Sequence, residues 1–374
     1  VAKTALTGKS AESASDVLAS ICVEALDAVK EDGNVDIDHI KVLSFEGGTA
    51  QESALENGVV IEKEVLHAEM PKEMADASVL LMTTALEVKE TTFDAQLSIT
   101  DPNQIKDFLA QEEAALKDIA AAIGAQGVNV VFCQKEIDDL CIHYLAKLGI
   151  IAIKRVKKSD MESLARLTGA SYVSKVEEID TDDLGIASHV GEMRFGEHRC
   201  TIVRSDEAKS VTVCLRGATA HSSAEVERAF DDALGVTSIA SVETVVAGGG
   251  SLHSYLARHL REWALETGDR IGMAIEAYAS ALEAIPRTLA ENAGLDPVDT
   301  LIALRKSDSH VYGVSTEGDV IDMVEEGVIE PRKVVSNAIG CATESAIMVL
   351  RIDDVISMKG ATGIESGFDM GAIG

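Results

Sequence analysis

The chain has 374 residues, of which 46% are hydrophobic and 3% aromatic, so we expect aliphatic cores divided between two or three domains. Its 63 acidic and 33 basic residues give a net charge of -30, which repels nucleic-acid phosphates and anionic lipids. The composition therefore predicts no nucleic-acid partner and no membrane partner. It fits an ordinary acidic cytoplasmic protein as well as one adapted to high salt, and we expect a cytoplasmic location.

The cysteines are expected to be buried thiols. None of the six forms a CxxC pair and most lie in apolar runs, which is typical of a reducing compartment. His198 and Cys200 could supply two ligands of a zinc site, but no second pair completes it, so no metal ligand is predicted. We recognise no apolar run of about 18 residues and no signal peptide. The pattern is already under way at Val1, which suggests that an N-terminal part is missing.

The first half of the chain predicts alternating helices and strands. A helix is expected over residues 10–30, closed by Gly33, and a helix start at Asp101-Pro102, where Asp101 can cap and Pro102 suits the first helical position. The other predicted elements are strands over 35–42, 58–61, 77–83, 128–133, 150–156 and 172–176, and helices over 136–148 and 159–169. This βαβαβ order predicts a parallel sheet flanked by helices.

The second half is predicted to be mostly helical. Two further strands are expected over 200–203 and 211–215, and helices follow from residue 222 to residue 350, interrupted by a short strand pair at 311–314 and 320–323. The tail over 360–374 is rich in glycine. Helical ends thus bracket an α/β segment, which is the pattern expected when one domain is inserted into another.

The segment Thr7-Gly8-Lys9-Ser10 has the ending of a phosphate-binding P-loop. The complete pattern requires a glycine where Lys3 stands and a preceding strand, so a P-loop is rejected. Lys9 remains a candidate to meet a phosphate as a point charge, although a surface lysine is the ordinary interpretation.

Two acidic residues, Asp231 and Asp232, form a candidate catalytic pair. Adjacent helical residues point about 100° apart, so only one of them can face a cleft. Asp232 lies three positions after Ala229 and four before Val236, on the apolar side, and is the expected inward carboxylate. An exposed acidic helix turn is the alternative interpretation.

Three consecutive glycines, Gly248 to Gly250, precede a predicted helix over 252–265. Glycine lets a backbone turn sharply and approach a ligand, and the positive N-terminal end of a helix suits an anionic ligand. A flexible hinge is the alternative.

Longer segments of the chain resemble group II chaperonins, the archaeal thermosome and eukaryotic cytosolic chaperonin type. The resemblance extends over nearly the whole chain in the family's order. The segments are AIEAY (274–278), IPRTLAENAGLDP (285–297), LRIDDVI (350–356), VFCQK (131–135) and KRVKKSDM (154–161).

The resemblance implies a multidomain α and α/β fold with a mostly helical equatorial part, a small α+β intermediate domain and an inserted α/β apical domain. By this resemblance the intermediate domain comprises residues 1–56 and 209–245, the apical domain 57–208 and the C-terminal equatorial part 246–374. The segment 86–109 would be a helical protrusion that serves as a lid.

The resemblance also implies a nucleotide site that binds ATP with Mg²⁺. Asp232 would orient the water that attacks the γ-phosphate, and Lys9 would belong to the nucleotide-sensing loop. The implied nucleotide contacts are Gly248, Gly249, Glu330 at the ribose and Val314 near the base. His253 stands where the family usually has an acidic residue, and the family's Gly-Asp-Gly-Thr-Thr segment, which binds phosphate and magnesium, is expected upstream of Val1.

The function implied is that of an ATP-dependent chaperone subunit, which assembles with like or paralogous subunits into a double ring and encloses unfolded protein clients. Client contacts are expected on the apical face, with Ile105, Phe108 and Leu109 as candidates. A passive client-binding module over residues 57–208 is the first alternative. A metabolic α/β enzyme is the second, and it is disfavoured because no GxGxxG motif, triad or metal cluster appears.

Overall fold

A computed structural model describes residues 1–31, 33–88, 102–206 and 210–353. Much of the expected lid segment and all of the glycine-rich tail fall outside the described residues. The candidate client contacts Ile105, Phe108 and Leu109 belong to a described helix, but their side chains are not described. The first helices and strands of the chain are α1 (Ala2–Leu6), α2 (Ser15–Ala28), β1 (Lys30–Glu31), β2 (Asn34–Val35), β3 (Ile40–Glu46), β4 (Ala54–Asn57), β5 (Val59–Ile61) and β6 (Glu73–Met82).

The middle of the chain alternates helices and strands and then ends in a long helix. Its elements are α3 (Pro102–Ala125), β7 (Val130–Cys133), α4 (Asp139–Lys147), β8 (Ile151–Ile153), α5 (Lys158–Thr168), β9 (Tyr172–Val173), β10 (Gly185–Phe195), β11 (His198–Arg204), β12 (Val211–Gly217) and α6 (Ala220–Val242).

The last part contains helices and two short strand pairs. Its elements are β13 (Val245–Ala247), α7 (Ser251–Thr267), α8 (Arg270–Leu282), α9 (Ala284–Asn292), α10 (Pro297–Lys306), β14 (Tyr312–Val314), β15 (Val320–Asp322), β16 (Ile329–Pro331) and α11 (Arg332–Leu350).

A three-stranded sheet, in the order β3-β12-β4, joins segments from both sides of the middle part. β12 runs parallel to β3, from Val211 beside Ile40 to Gly217 beside Glu46, and antiparallel to β4. Helices α1, α2 and α6 pack on this sheet, where Leu18 and Phe230 are fully buried. α6 begins at Thr219, whose hydroxyl accepts the Ser222 N–H as an N-cap.

The middle part forms a seven-stranded sheet in the order β5-β11-β10-β6-β7-β8, with β9 beside β6. Its strands are apolar on both faces. Along β6, Leu80 and Met82 point to the core beneath α3 and α4, while Val79 and Leu81 point to the core beneath α5. This alternation follows from the two-residue period of a strand, and helices on both faces explain why the second half of β6, from Val79 to Met82, is entirely apolar.

The expectation of a parallel sheet is only partly correct. β6, β7, β8 and β9 are parallel neighbours, whereas β5, β11 and β10 are antiparallel and reach β6 through an antiparallel contact. The difference arises because β10 was not recognised in the sequence. A tight turn at Gly196, with φ of 61°, joins β10 to β11, and a hairpin of this kind can only be antiparallel.

Lys41 and Asp160 connect the two sheets. Lys41 Nζ donates to the Val60 carbonyl and to Asp160 Oδ1, both at 2.6 Å, and the two side chains are largely buried. Next to them Thr212 Oγ1 accepts the Val60 N–H at 3.0 Å and donates to the Gly58 carbonyl at 2.9 Å. Polar contacts therefore fill the place where the chain leaves one sheet for the other.

Helix α11 is largely uncovered by the rest of the described chain. Val335 is buried, whereas Met348, Val349 and Leu350 are 64%, 66% and 83% exposed. By length and composition alone α11 could cross a membrane, a feature that we did not recognise in the sequence. One such helix is weak evidence of a membrane span, and what the structure shows directly is an apolar helix with little protein around it.

Glu283, at the end of α8, is fully buried between two arginines. Arg261 Nη2 donates to Glu283 Oε2 and Arg305 Nε donates to Glu283 Oε1, each at 2.7 Å. Each guanidinium also donates to the other carboxylate oxygen, so both arginines bind Glu283 in a bidentate manner. Burial alone raises the pKa of Glu283, but the hydrogen bonds from Arg305 and Arg261 outweigh it and lower the pKa to about 2. The carboxylate is thus ionised and ties α7, α8 and α10 together.

Replacing Glu283 with alanine should destabilise this helical part by about 2 kcal/mol, because it removes the charge-assisted hydrogen bonds that two partly exposed arginines make to one buried carboxylate. Urea unfolding followed by the fluorescence of Trp263, the single tryptophan, measures the change, since Trp263 lies on α7. Asp16→Ala, which removes an exposed partner of Lys3, is the control and should leave the transition unchanged.

The same comparison has a predictable pH dependence. The folded-state pKa of Glu283 lies below the ordinary value of 4.5, so its contribution is complete above that pH and is lost as the pH falls towards 2. The difference between wild type and Glu283→Ala should therefore shrink on acidification. Equal urea midpoints at neutral pH would contradict the stabilising role of the cluster.

Candidate functional site

Lys9 and Asp232 form an ion pair, with Lys9 Nζ 2.6 Å from Asp232 Oδ2. Lys9 follows α1 in a turn in which Gly8 has φ of 75° and Lys9 N–H donates to the Leu6 carbonyl. Asp232 lies in the middle of α6, which packs on α1. The fold thus brings together two candidates that are 223 residues apart in the sequence.

The two neighbouring carboxylates differ in their surroundings. The Asp232 side chain is 67% exposed and bonded to Lys9 through one oxygen. Burial raises the pKa of Asp231, and the charges of Glu227 and Asp232 add to this effect. The sequence predicted Asp232 as the inward carboxylate, whereas both residues are exposed in the structure. What distinguishes Asp232 is its contact with Lys9 and an Oδ1 that has no partner among the described residues.

The three glycines form a closely packed turn between β13 and α7. Gly248 N–H donates to the Val328 carbonyl, and the Gly249 carbonyl accepts the Val314 N–H, each at 2.9 Å. Gly249 and Gly250 have φ of 61° and 73°, values that L side chains rarely adopt. These contacts hold the turn in place, so the alternative of a flexible hinge is not supported.

The glycines are also required by the space around them. A Cβ at Gly249 would lie 2.7 Å from Met323 Sδ and 2.8 Å from the Val314 carbonyl oxygen, and one at Gly250 would lie 3.0 Å from Pro286 Cβ. The turn therefore meets β14 backbone to backbone. Any larger residue would push β14 and α9 away from the start of α7.

Glu330 lies beside this turn, in β16, where it pairs with Val246 of β13. Its side chain is half-buried and has no ion pair or side-chain hydrogen bond among the described residues. Burial raises the pKa of Glu330. The structure thus places Gly248, Gly249, Val314 and Glu330 around one junction, with a carboxyl group free to accept a hydrogen bond from a ligand hydroxyl.

His253 lies one turn into α7 and faces an apolar cavity of about 240 Å³. It is 7% exposed, its Nδ1 has no partner, and burial lowers its pKa, so the ring is neutral. The cavity walls also include Tyr278, Ile285, Ile339 and Thr343, and Tyr278 and Thr343 share a 2.6 Å hydrogen bond. An acidic side chain at this position would be a buried charge without a partner among the described residues, so the apolar cavity suits a neutral imidazole.

A larger cavity, of about 650 Å³, lies elsewhere and does not suit a nucleotide. It is lined by Glu87, Glu112, Glu113 and Asp138, and four carboxylates would repel a triphosphate. Cavity size therefore does not identify the site in this chain. The junction of the glycine turn and the Lys9–Asp232 pair remain the candidates on chemical grounds.

Comparisons with known proteins agree with the resemblance seen in the sequence. Residues 1–360 match the TCP-1/cpn60 chaperonin family. The chain is 48% identical to the thermosome subunit of Methanocaldococcus jannaschii, over all of this chain and 71% of that protein. It is 45% identical to thermosome subunit 1 of Haloferax volcanii, over 99% of this chain and 67% of that protein.

A solved structure extends the agreement to the fold. The open-state monomer of a group II chaperonin from Methanococcoides burtonii superposes with a TM-score of 0.63 at 35% identity, covering 94% of this chain and 84% of that one. The similarity to group II chaperonins and the chaperonin-like multidomain fold class are thereby confirmed. The chain belongs to the TCP-1/cpn60 chaperonin family.

Proposed function

We propose that this chain is part of an ATP-hydrolysing chaperonin subunit that encloses unfolded protein clients within a double ring of like or paralogous subunits in the cytoplasm. The observation that carries the proposal is the 2.6 Å contact between Lys9 and Asp232. It brings together two candidates for nucleotide chemistry that lie on opposite sides of the inserted part in the sequence. Family membership supports the chaperonin role, and the geometry supplies residues for hydrolysis.

The proposed domains follow the packing units. The sheet β3-β12-β4 with α1, α2 and α6 corresponds to an intermediate domain over 1–56 and 209–245. The seven-stranded sheet corresponds to an apical domain over 57–208, and the helices from α7 onward to an equatorial part over 246–374. The three largest buried clusters support the division, because each lies within one unit, and a smaller cluster around Phe45, Phe195 and Cys214 joins the first two units. The segment 86–109 stays a proposed lid.

ATP with Mg²⁺ would supply a γ-phosphate whose transfer to water depends mainly on positioning and charge. Asp232 has one oxygen engaged by Lys9 and the other without a partner, so Oδ1 can accept a hydrogen bond from a water and orient it. The Lys9 ammonium offsets the repulsion between the Asp232 carboxylate and phosphate oxygens. Gly248, Gly249, Val314 and Glu330 would hold the nucleoside at the glycine turn.

The uncovered surface of α11 supports assembly with further protein. Exposing several large apolar side chains on one helix end is unfavourable in water, because each loses the free energy of burial. We propose that a neighbouring subunit covers this helix. The proposal also accounts for an apolar helix whose exposure has no explanation within the chain.

Asp232→Ala should lower steady-state ATP hydrolysis by about 100-fold and leave nucleotide binding nearly unchanged, because the carboxylate positions water and does not hold the phosphates. The measurement uses the complete gene product, with phosphate release for turnover and a fluorescent ATP analogue for binding. Asp231→Ala is the matched control, since this side chain points about 100° away on α6. Wild-type turnover in Asp232→Ala would refute the catalytic assignment.

Glu330→Ala should weaken ATP binding by about tenfold, as expected when one hydrogen bond to a charged group is lost. The sharper test compares ATP with 2′-deoxy and 3′-deoxy analogues. Wild type should bind one of the analogues more weakly than ATP, and the variant should bind that analogue and ATP equally. If the penalty for the missing hydroxyl persists in the variant, Glu330 does not contact the ribose.

The alternative of a passive client-binding fragment is distinguished by two measurements. The seven-stranded unit has buried cores on both faces of its sheet, which would let it fold by itself. It could then bind clients without ATP hydrolysis. If the complete gene product hydrolyses no ATP while it still suppresses aggregation of an unfolded client, the passive role is correct.

A further inference from the structure

His67, Glu69 and His143 form a cluster of side chains outside the proposed nucleotide site. One ligand atom from each lies within 4.8 Å of the others. His67 and Glu69 belong to the connection between β5 and β6, and His143 lies on α4. No motif in the sequence links them, and the proposed ATP chemistry does not use them.

The connection that carries His67 and Glu69 is anchored on both sides. Before the turn, Leu66 N–H donates to the Ala152 carbonyl at 3.4 Å, next to strand β8. After it, Met70 is buried with 3% exposure and its N–H donates to the His67 carbonyl at 3.1 Å. Within the turn Glu69 N–H donates to His67 Nδ1 at 3.2 Å. The histidine is therefore held in place by the fold and does not have to be ordered by a ligand.

His143 faces this turn from α4. The two imidazole rings lie 5.8 Å apart between centroids, tilted by 58°. Both histidines are half-buried and Glu69 is exposed. Two rings of limited freedom and one mobile carboxylate make a site that is partly formed before a ligand arrives.

Two imidazole nitrogens and one carboxylate oxygen are a ligand set that binds Zn²⁺ and related transition metals. Metal–ligand bonds of about 2.0–2.2 Å place ligand atoms roughly 3.4 Å apart around a tetrahedral ion. Closing from 4.8 Å to that spacing needs only small side-chain rotations, which the exposed Glu69 can make. Water supplies the fourth ligand, because the site is open on the Glu69 side.

We propose that His67, Glu69 and His143 bind one divalent transition-metal ion, with Zn²⁺ the best match to the ligand set. The ion joins the β5–β6 connection to α4. Since Tyr144, the next residue on α4, donates a 2.6 Å hydrogen bond to Glu113 of α3, the bound metal also stabilises the helix layer on that face of the sheet.

His198 and Cys200, which the sequence offered as possible zinc ligands, do not form an alternative zinc site. Cys200 is fully buried in an apolar cluster with Val60 and Ile202, where an ion would have no water beside it. His198, on the same strand, is exposed. Among the residues that the structure describes, His67, Glu69 and His143 are the group of three potential ligands that lie together.

Zinc titration by calorimetry on the metal-free full chain tests the proposal, in a Cys341→Ser background that removes the exposed thiol. One ion should bind, and His143→Ala and His67→Ala should each weaken binding by about tenfold or more, because losing a direct ligand costs at least as much as losing a supporting residue. His221→Ala, which removes an exposed histidine of α6, is the matched control and should bind as the parent does.

Two outcomes would overturn the site. One is equal zinc affinity in the parent and in the double variant His67→Ala/His143→Ala. The other is a Co²⁺-loaded protein whose absorption shows a thiolate charge-transfer band, which would place the ion on cysteine. Should a histidine variant fold poorly by circular dichroism, Glu69→Gln provides the test, since this exposed side chain carries no core packing and its replacement should also weaken binding.

Discussion

The parallel pairing of β12 with β3 is the contact on which the architecture depends. Through this pairing β12, which follows the inserted part, joins β3 and β4, which precede it, in one three-stranded sheet. α6 follows directly and packs its buried face, with Phe230 and Ala233, on the same sheet as α2. The position of Asp232 beside Lys9 is therefore a result of this sheet pairing and not of any local sequence signal.

The sequence predicted elements well where the pattern was local. The run Val130–Cys133 is apolar at every position and forms β7, and Gly169 ends α5 in a left-handed conformation. β10 was missed because its residues, such as Ser188, His189 and Glu192, mix polar and apolar positions without strict alternation. Without β10 the antiparallel half of the large sheet could not be foreseen, since strand pairing is a long-range property.

In the candidate site, too, the residues could be predicted from the sequence but their spatial arrangement could not. Lys9, Asp232 and the glycines could be selected by residue type and family resemblance, but their distances could not. The sequence also favoured Asp232 as the inward carboxylate from helical spacing, whereas both Asp231 and Asp232 are exposed, since their exposure depends on how α6 packs on the sheet. The His67, Glu69 and His143 cluster had no signal at all, because its members come from a loop and a distant helix.

The polar joint formed by Lys41 and Asp160 has a mechanical consequence. The inserted unit is attached covalently through the short β4–β5 link and through the return into β12, and the ammonium-carboxylate contact adds a third, non-covalent attachment. The stacked rings of Phe45 and Phe195 lie at the same junction and add apolar packing to it. Rotation of one unit against the other would have to separate Lys41 from Asp160, two opposite charges whose side chains are largely buried.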